Sequence, residues 1–189
     1  MLRFALAVGL MLLAASPAQA AKEWIIDTSK SSLGFAGTAS GKAFTGKFGS
    51  FNAHVDFDPQ HPDPSRIEVT INMQSAKTGD AQKDNTLPGE DWFDIKTFKQ
   101  ANFYGVRVRQ KAPQFYVVEG KLTLKDVTRD IELPFSIVPE GKEFRIQGEV
   151  TVNRLDYHVG EGEWVDNDLV GKEVKIKVDL LAHPKPEIQ

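Results

Sequence analysis

The sequence has 189 residues, with 23 basic and 26 acidic side chains and a formal net charge of −3 at pH 7. The even balance of charge and the lack of a basic block argue against nucleic acid as a partner. Because cysteine is absent, the composition excludes a disulfide scaffold, a thiolate metal site and a cysteine nucleophile. The length suits one domain with an ordinary hydrophobic core.

The first twenty residues have the features of a secretory signal peptide. Arg3 is their only charge, and an apolar run over 4–15 follows it. Small residues at Ala18 and Ala20 then define a cleavage site, so we expect residues 21–189 to form an exported, soluble domain. The apolar run is too short to span a bilayer, which needs about 20 residues. The alternative is an anchor that stays attached, and the flanking residues fit it less well.

The rest of the chain alternates apolar and polar residues with a period of two, which is typical of strands with one buried face. In 51–58, four apolar side chains occupy one face and four polar side chains the other. In 104–109, Tyr104, Val106 and Val108 alternate with two arginines, so we expect these three on one face. The pattern predicts nine or ten strands. In chain order they cover 24–27, 33–38, 44–48, 51–58, 67–74, 104–109, a ribbon of 115–119 and 121–125, 131–137, 144–152 and 174–180.

One stretch, 89–98, has helical spacing instead. Trp92, Ile95 and Phe98 recur three residues apart, which predicts one short α-helix in an otherwise all-β domain. An antiparallel sheet of so many strands avoids exposed edges by closing on itself. We therefore expect an extended antiparallel β-barrel. A two-sheet sandwich is the alternative that alternation alone leaves open.

The inward faces of the predicted strands are rich in phenylalanine and carry no paired charges. A barrel of about eight strands is filled by its own side chains or holds one small ligand, and more strands leave more interior. A hollow interior would favour an apolar guest, because each buried methylene contributes roughly 0.8 kcal/mol. The alternative is that the aromatic side chains fill a dry core. The inward aromatic candidates are Phe35, Phe44, Phe48, Phe51, Phe57, Phe135 and Phe144.

The segment 120–129 reads G-K-L-T-L-K-D-V-T-R. It is the most specific of several short segments that together resemble the YceI-like family of periplasmic polyisoprenoid-binding proteins, whose motif at this point is G-x-L-T-x-x-G-V-T-R. Asp126 stands where the family often has glycine, and Lys99 stands where it often has proline. These departures affect local loop shape more than the apolar faces. The other matching segments are 24–27, 31–35, 46–51, 55–59, 91–95 and 154–157.

The resemblance implies a lipocalin-like extended barrel that holds a long isoprenoid, such as a polyprenyl chain or the tail of a quinone. It also implies a periplasmic location, no catalytic cofactor and no catalytic residues. Homodimers and links to stress responses are known in the family, so we expect both here. The residues predicted to form the apolar site are Phe35, Phe44, Phe48, Phe51, Val55, Phe57, Ile71, Met73, Trp92, Phe93, Phe98 and Phe135.

Three charged residues could act at the barrel mouth. Arg129 or Arg154 could meet a polar headgroup. The alternative, which we favour, is a structural ion pair of either arginine with Asp94 or Asp156, because the arginine fork suits a carboxylate. Similarly, the aromatic residues of 89–98 could form either a lid or an ordinary core plug.

Other functions find less support in the residues. The four histidines show no zinc-ligand spacing, and no nucleophile elbow or phosphate loop is present, so we expect no metal site. An enzyme acting on a lipid or sugar inside the barrel would need an acid–base pair there, but the inward positions are nearly all apolar. A module that binds a protein through its outer face is the third alternative, and its outward positions are polar.

Overall fold

The computed structural model describes residues 21–63, 65–165 and 169–186 of the chain. The predicted signal peptide lies outside these residues. The described part is almost entirely β-structure with one short α-helix. Its elements are β1 (Lys22–Ile26), β2 (Ser32–Ala39), β3 (Lys42–Phe48), β4 (Phe51–Phe57), β5 (Arg66–Asn72), β6 (Ala76–Lys77), α1 (Ala81–Thr86), β7 (Gln100–Ala112), β8 (Phe115–Leu124), β9 (Val127–Glu140), β10 (Glu143–Asn153) and β11 (Glu173–Pro184).

Eight of the strands form a closed antiparallel barrel in the order β1-β4-β5-β7-β8-β9-β10-β11. The ring closes because β1 pairs with the end of β11, where Trp24 faces Pro184 and Ile26 faces Ala182. Every strand pairing is antiparallel, as expected when hairpins connect successive strands. The prediction of an extended antiparallel barrel is confirmed, and the sandwich alternative is wrong.

The barrel is extended at one end by β2, β3 and β6. β11 pairs with β2 along Lys175–Asp179 and with β1 only from Ala182 onward. β3 then pairs with β2, and the short β6 pairs with β3. Because β2 and β1 lie one after the other along the same edge of β11, the wall continues past the eight-stranded ring and encloses a longer interior.

A β-bulge in β7 changes which residues of that strand face the interior. The pairing with β8 shifts register between Gly105 and Arg107. As a result Val108 is 2% exposed, whereas Val106 is 56% exposed and Tyr104 also lies on the outer surface. The expectation that Tyr104, Val106 and Val108 share a face is wrong, because the extra residue of a bulge interrupts the period of two. The predicted ribbon of 115–119 and 121–125 is one continuous strand, β8.

The helix lies earlier in the chain than predicted. Asp80 caps α1, since its carboxylate accepts hydrogen bonds from the backbone N–H groups of Gln82 and Lys83. The predicted helix over 89–98 is wrong: this segment forms successive turns. Asp94 has a left-handed backbone with φ of +41°, and its N–H donates to the carbonyl of Gly89, so one turn ends before a helix can propagate.

Candidate functional site

The barrel interior contains an apolar void of about 220 Å³, taken as the space that the centre of a water molecule could occupy. One water needs only about 10–15 Å³ by the same measure, so the side chains leave room for a guest. No polar atom of the described wall residues faces this void. Residues from the ring strands and from the β2–β3 extension line it, so it runs along the barrel interior. An apolar guest would suit this wall, whereas a polar guest would lose its hydrogen bonds to water there.

Eleven of the twelve residues predicted to form the apolar site line the void. The exception is Phe98, which is half-buried and lies outside it. That the eleven contact a ligand remains a prediction. Sequence reasoning did not select the aliphatic residues that complete the wall, although the period-two pattern had placed most of them on inward faces. The eleven are Phe35, Phe44, Phe48, Phe51, Val55, Phe57, Ile71, Met73, Trp92, Phe93 and Phe135.

Aromatic side chains close the end of the barrel where β1 meets β11. The indole Nε1 of Trp24 donates a buried hydrogen bond of 2.8 Å to the carbonyl oxygen of Phe57. The Trp24 ring lies edge-on to Phe144 at 5.2 Å, and the Phe57 ring lies edge-on to Tyr116 at 5.4 Å. Tyr116 in turn stacks on Phe135 at 5.5 Å. This end is therefore an interlocked aromatic plug whose buried indole N–H already has a partner.

A second aromatic cluster lies where the β2–β3 extension joins the wall. Phe35 contacts Phe48 at 5.2 Å and Phe93 at 6.5 Å between ring centroids. The Phe35 ring also lies directly over Gly46, where a Cβ atom would overlap it. Glycine at this position lets an aromatic ring lie flat on the neighbouring strand. The cluster therefore sets the width of the void at this level.

Two segments cover the other end of the barrel, and we call residues 89–98 and 154–165 the end cover. The N–H groups of Gly160 and Glu161 donate to the carbonyl of Asp91 at 2.6 and 2.9 Å, which joins the two segments. Trp92 packs edge-on against Trp164 with ring centroids 5.5 Å apart. Trp92, Phe93, Tyr157 and Val159 line the void from this cover. The lid interpretation of Trp92 and Phe93 therefore agrees with their position.

Arg154 holds the end cover through backbone carbonyl groups. It is 3% exposed, and all five of its N–H donors are used. Nε donates to Gly171, Nη1 donates to Val159 and Gly160, and Nη2 donates to Trp164 and Val170, at 2.7–3.2 Å. Its described partners are all backbone carbonyl groups and none is a carboxylate, and burial lowers the pKa of its guanidinium. The predicted ion pair of Arg154 with Asp94 or Asp156 is wrong.

Arg129 and Asp94 lie outside the void. Arg129 is exposed on β9, and the one hydrogen bond described for it runs to the carbonyl of its neighbour Thr128. No ion pair joins it to Asp94 or Asp156 among the described residues, so that prediction is also wrong. Asp94 serves the turn of the end cover: its carbonyl accepts from the N–H groups of Thr97 and Phe98. Neither residue faces the apolar wall.

Lys125 ties the β8–β9 turn to the end cover. Its Nζ donates to the carbonyl oxygens of Glu90 at 3.0 Å and His158 at 2.6 Å, and its side chain is 7% exposed. Both turn residues have left-handed backbones, with φ of +49° at Lys125 and +60° at Asp126. Two left-handed residues suit a tight hairpin turn. Asp126 therefore adopts the left-handed backbone that this turn position requires, where the family often has glycine.

Two buried donors of the end cover have no hydrogen-bond partner among the described residues: Nε1 of Trp92 and the hydroxyl of Tyr157. Tyr157 is 2% exposed, and burial raises the pKa of its hydroxyl to about 12. It therefore stays protonated, and a donor, near neutral pH. Sequence reasoning missed Tyr157 as a site residue, although it ends the motif segment 154–157.

The described part of the chain offers few groups for metal binding or for crossing a membrane. No cluster of three or more histidine, aspartate or glutamate side chains is placed to hold a metal ion within residues 21–63, 65–165 and 169–186. Across those same ranges, no helix has the length and apolarity needed to cross a membrane. The ion pairs, such as Arg145 with Glu140 at 2.9 Å, lie on the outer surface.

Fold and site together define a closed antiparallel barrel with an apolar internal void. The chain belongs to the YceI-like domain family, whose sequence profile matches residues 24–182. It is 34% identical to a UPF0312 protein of Photorhabdus laumondii over 140 residues, which cover 73% of this chain and 72% of that protein. A UPF0312 protein of Shewanella putrefaciens is 30% identical over 139 residues, which cover 72% of each chain.

Solved structures show the same fold. The crystal structure of BcnA from Burkholderia cenocepacia superposes with a TM-score of 0.80 at 31% identity, covering 83% of this chain and 99% of BcnA. A polyisoprenoid binding domain from Saccharophagus degradans superposes with a TM-score of 0.65 at 13% identity, covering 87% of this chain and 99% of the domain. At that identity the second likeness concerns the fold alone.

Proposed function

We propose that this protein binds and carries a long-chain isoprenoid lipid, either a polyprenyl chain or an isoprenoid quinone, inside the barrel. The observation that carries the proposal is the apolar void, to which the described part of the wall presents no polar atom. Burial of each methylene of such a chain contributes roughly 0.8 kcal/mol, so a long hydrocarbon can offset the entropy lost on binding. Membership of the YceI-like family supports the proposal.

The same reasoning favours binding over catalysis. Hydrolysis or transfer on a lipid needs an acid, a base or a nucleophile within reach of the bound molecule. The described wall offers none on its surface. We therefore propose a carrier whose bound lipid leaves chemically unchanged, and we expect no catalytic cofactor.

We further propose that the chain works in the periplasm after export through residues 1–20. The charged start, apolar run and small residues before Ala21 support export. The family resemblance supports the periplasm, a homodimeric assembly and a part in stress responses. Fusion of residues 1–20 to a reporter enzyme that is active only after export tests the first step, and an inactive reporter would contradict it.

A pair of matched substitutions on one strand tests the carrier function. Val69 lines the void from β5, whereas the adjacent Thr70 bonds to Asn102 on the outer side of the same strand. Val69→Trp should fill the void, and Thr70→Trp should leave it open while adding the same side chain. The measurement is the amount of geranylgeraniol that each purified protein retains after gel filtration, read by mass spectrometry.

The expected result is at least a tenfold loss of retained lipid for Val69→Trp and less than a twofold change for Thr70→Trp. Circular dichroism confirms that both variants fold. Equal retention by both folded variants would contradict binding in the barrel interior, as would a wild-type protein that retains no lipid.

A further inference from the structure

The end cover holds two hydrogen-bond donors that the protein itself leaves unused. Nε1 of Trp92 and the hydroxyl of Tyr157 are buried and have no partner among the described residues, and both residues line the void. Buried donors are nearly always paired, so each unpaired one needs an explanation. The third such atom, Nε of Arg109, belongs to an arginine paired with Glu119 and Glu132 on the outer surface, away from the void.

A cation lies close to each of these two donors. The guanidinium carbon of Arg154 lies 5.7 Å from the centre of the Trp92 ring. Backbone carbonyl groups accept from all five N–H donors of Arg154, so Arg154 has no free donor for a ligand. Its positive charge has no carboxylate counter-ion among the described residues. A second cation, Arg129, is close enough for its charge to lower the pKa of the Tyr157 hydroxyl, against the larger effect of burial. The opposing effect of Asp156 on this pKa is smaller than that of Arg129.

The opposite end of the barrel offers no comparable group among the described residues that line the void. The indole N–H of Trp24 lines it but is bound to the carbonyl of Phe57, and Tyr116, whose hydroxyl accepts a hydrogen bond from Gln110, does not line it. A headgroup acceptor placed there would have to displace the Trp24–Phe57 hydrogen bond. The aromatic plug therefore suits the hydrocarbon end of a long ligand.

We propose that the polar end of the bound lipid lies against Trp92 and Tyr157, and that it is a hydrogen-bond acceptor such as the carbonyl oxygen of a quinone. This inference rests on the proposed carrier function. Both donors lie just behind the apolar wall, so a local shift of these side chains accompanies the arrival of the headgroup. A cationic headgroup is disfavoured, because it would meet two donors and the charge of Arg154.

Two probes with isoprenoid chains test the inference. Menaquinone-4 carries two carbonyl acceptors, whereas squalene is a hydrocarbon with none. Tyr157→Phe and Trp92→Phe each remove one donor and keep an aromatic ring. Tyr104→Phe is the matched control, since it removes a tyrosine hydroxyl on the outer surface of the barrel. The measurement is the dissociation constant of each lipid for the whole protein, obtained from its distribution between protein and phosphatidylcholine vesicles.

Tyr157→Phe and Trp92→Phe should each weaken the binding of menaquinone-4 by about 3- to 10-fold, the range that the loss of one neutral hydrogen bond gives. Squalene binding should change less than twofold, and Tyr104→Phe should affect neither lipid. If either donor variant does not fold, the other provides the test.

The outcomes separate this inference from the carrier function. If both lipids bind to the wild-type protein and the donor variants lose both equally, or lose neither, then the headgroup assignment is wrong and the carrier function stands. If the wild-type protein binds neither lipid, the carrier function is wrong and the headgroup assignment is wrong with it.

Discussion

Nη2 of Arg154 donates a hydrogen bond of 2.7 Å to the carbonyl oxygen of Trp164. This bond joins the residue that follows the end of β10 to a loop residue ten positions further along the chain. The other four donors of Arg154 reach carbonyl groups on the same connection between β10 and β11. One side chain therefore shapes the connection that closes this end of the void.

Arg154→Met should destabilise the protein strongly. It leaves five carbonyl groups without their donor, and leaving one buried acceptor unpaired costs about 1–3 kcal/mol. We expect a loss of at least about 3 kcal/mol in the free energy of unfolding, measured by urea denaturation. Arg154→Lys should fall between Met and the wild type, because lysine has three donors and no planar fork.

Arg129→Met is the control for Arg154→Met. Arg129 is exposed and bonds to the carbonyl of its neighbour, so we expect less than about 0.5 kcal/mol of change. A loss at Arg154 no larger than the loss at Arg129 would contradict the structural role of Arg154.

Gly46→Ala should narrow the void and destabilise the fold. A Cβ atom at Gly46 overlaps the ring of Phe35, and forcing that ring to move costs about 1–3 kcal/mol by the usual range for overpacking. The matched control is Gly49→Ala, whose Cβ atom would lie 3.6 Å from the carbonyl of Ser75, an ordinary contact. Thermal unfolding monitored by circular dichroism measures both. Equal melting temperatures would show that Phe35 does not depend on Gly46.

Stability should fall at high pH because of Tyr157. Burial raises the pKa of its hydroxyl to about 12 in the folded protein, from about 10 in the unfolded chain. The folded state holds this proton more tightly than the unfolded chain does. The contribution of Tyr157 to the free energy of unfolding is therefore complete below about pH 10 and is lost as pH rises toward 12. The loss should be on the order of 2 kcal/mol.

Urea denaturation at about pH 8 and about pH 11.5 measures this effect. Tyr157→Phe has no proton to lose there, so its free energy of unfolding should fall less between the two pH values than that of the wild type. The same fall in both proteins would assign the pH dependence to other groups.

Lys125→Met should loosen the end cover without unfolding the barrel. It removes hydrogen bonds to the carbonyls of Glu90 and His158. We therefore expect the free energy of local opening of the end cover to fall by about 1–3 kcal/mol. Hydrogen exchange of the amides of Gly160 and Glu161 reports this directly, since both bond across the cover to Asp91. Lys121→Met is the control, because Lys121 pairs only with the exposed Asp130 in the described structure. Unchanged exchange in Lys125→Met would contradict the proposed tie.

Much of the barrel could be predicted from the sequence because a half-buried strand has an apolar residue at every second position. β4, β10 and β11 follow this pattern, and their inward residues line the void. The α1 segment A-Q-K-D-N-T has no apolar stripe, so periodicity could not find it. The bulge near Gly105 was missed for a related reason, since one extra residue inverts the faces without altering the composition.

The partners of Arg154 could not be predicted for a different reason. Every residue has a carbonyl group, so nothing in the sequence marks those of Val159, Gly160 or Trp164 as acceptors. A carboxylate partner is visible in a sequence, and this visibility favoured Asp94 and Asp156 in the prediction. Similarly, the unpaired hydroxyl of Tyr157 follows from the packing of the end cover, which local sequence does not determine.

The central claim is that the barrel interior holds a long apolar molecule, and native mass spectrometry of the protein purified without detergent tests it most directly. The account predicts a species heavier than the polypeptide by the mass of one isoprenoid lipid, and the extracted lipid should be recovered intact. This species should be absent or greatly reduced in Val69→Trp. A protein that shows only the polypeptide mass, and still does so after incubation with geranylgeraniol and menaquinone-4, would contradict the account.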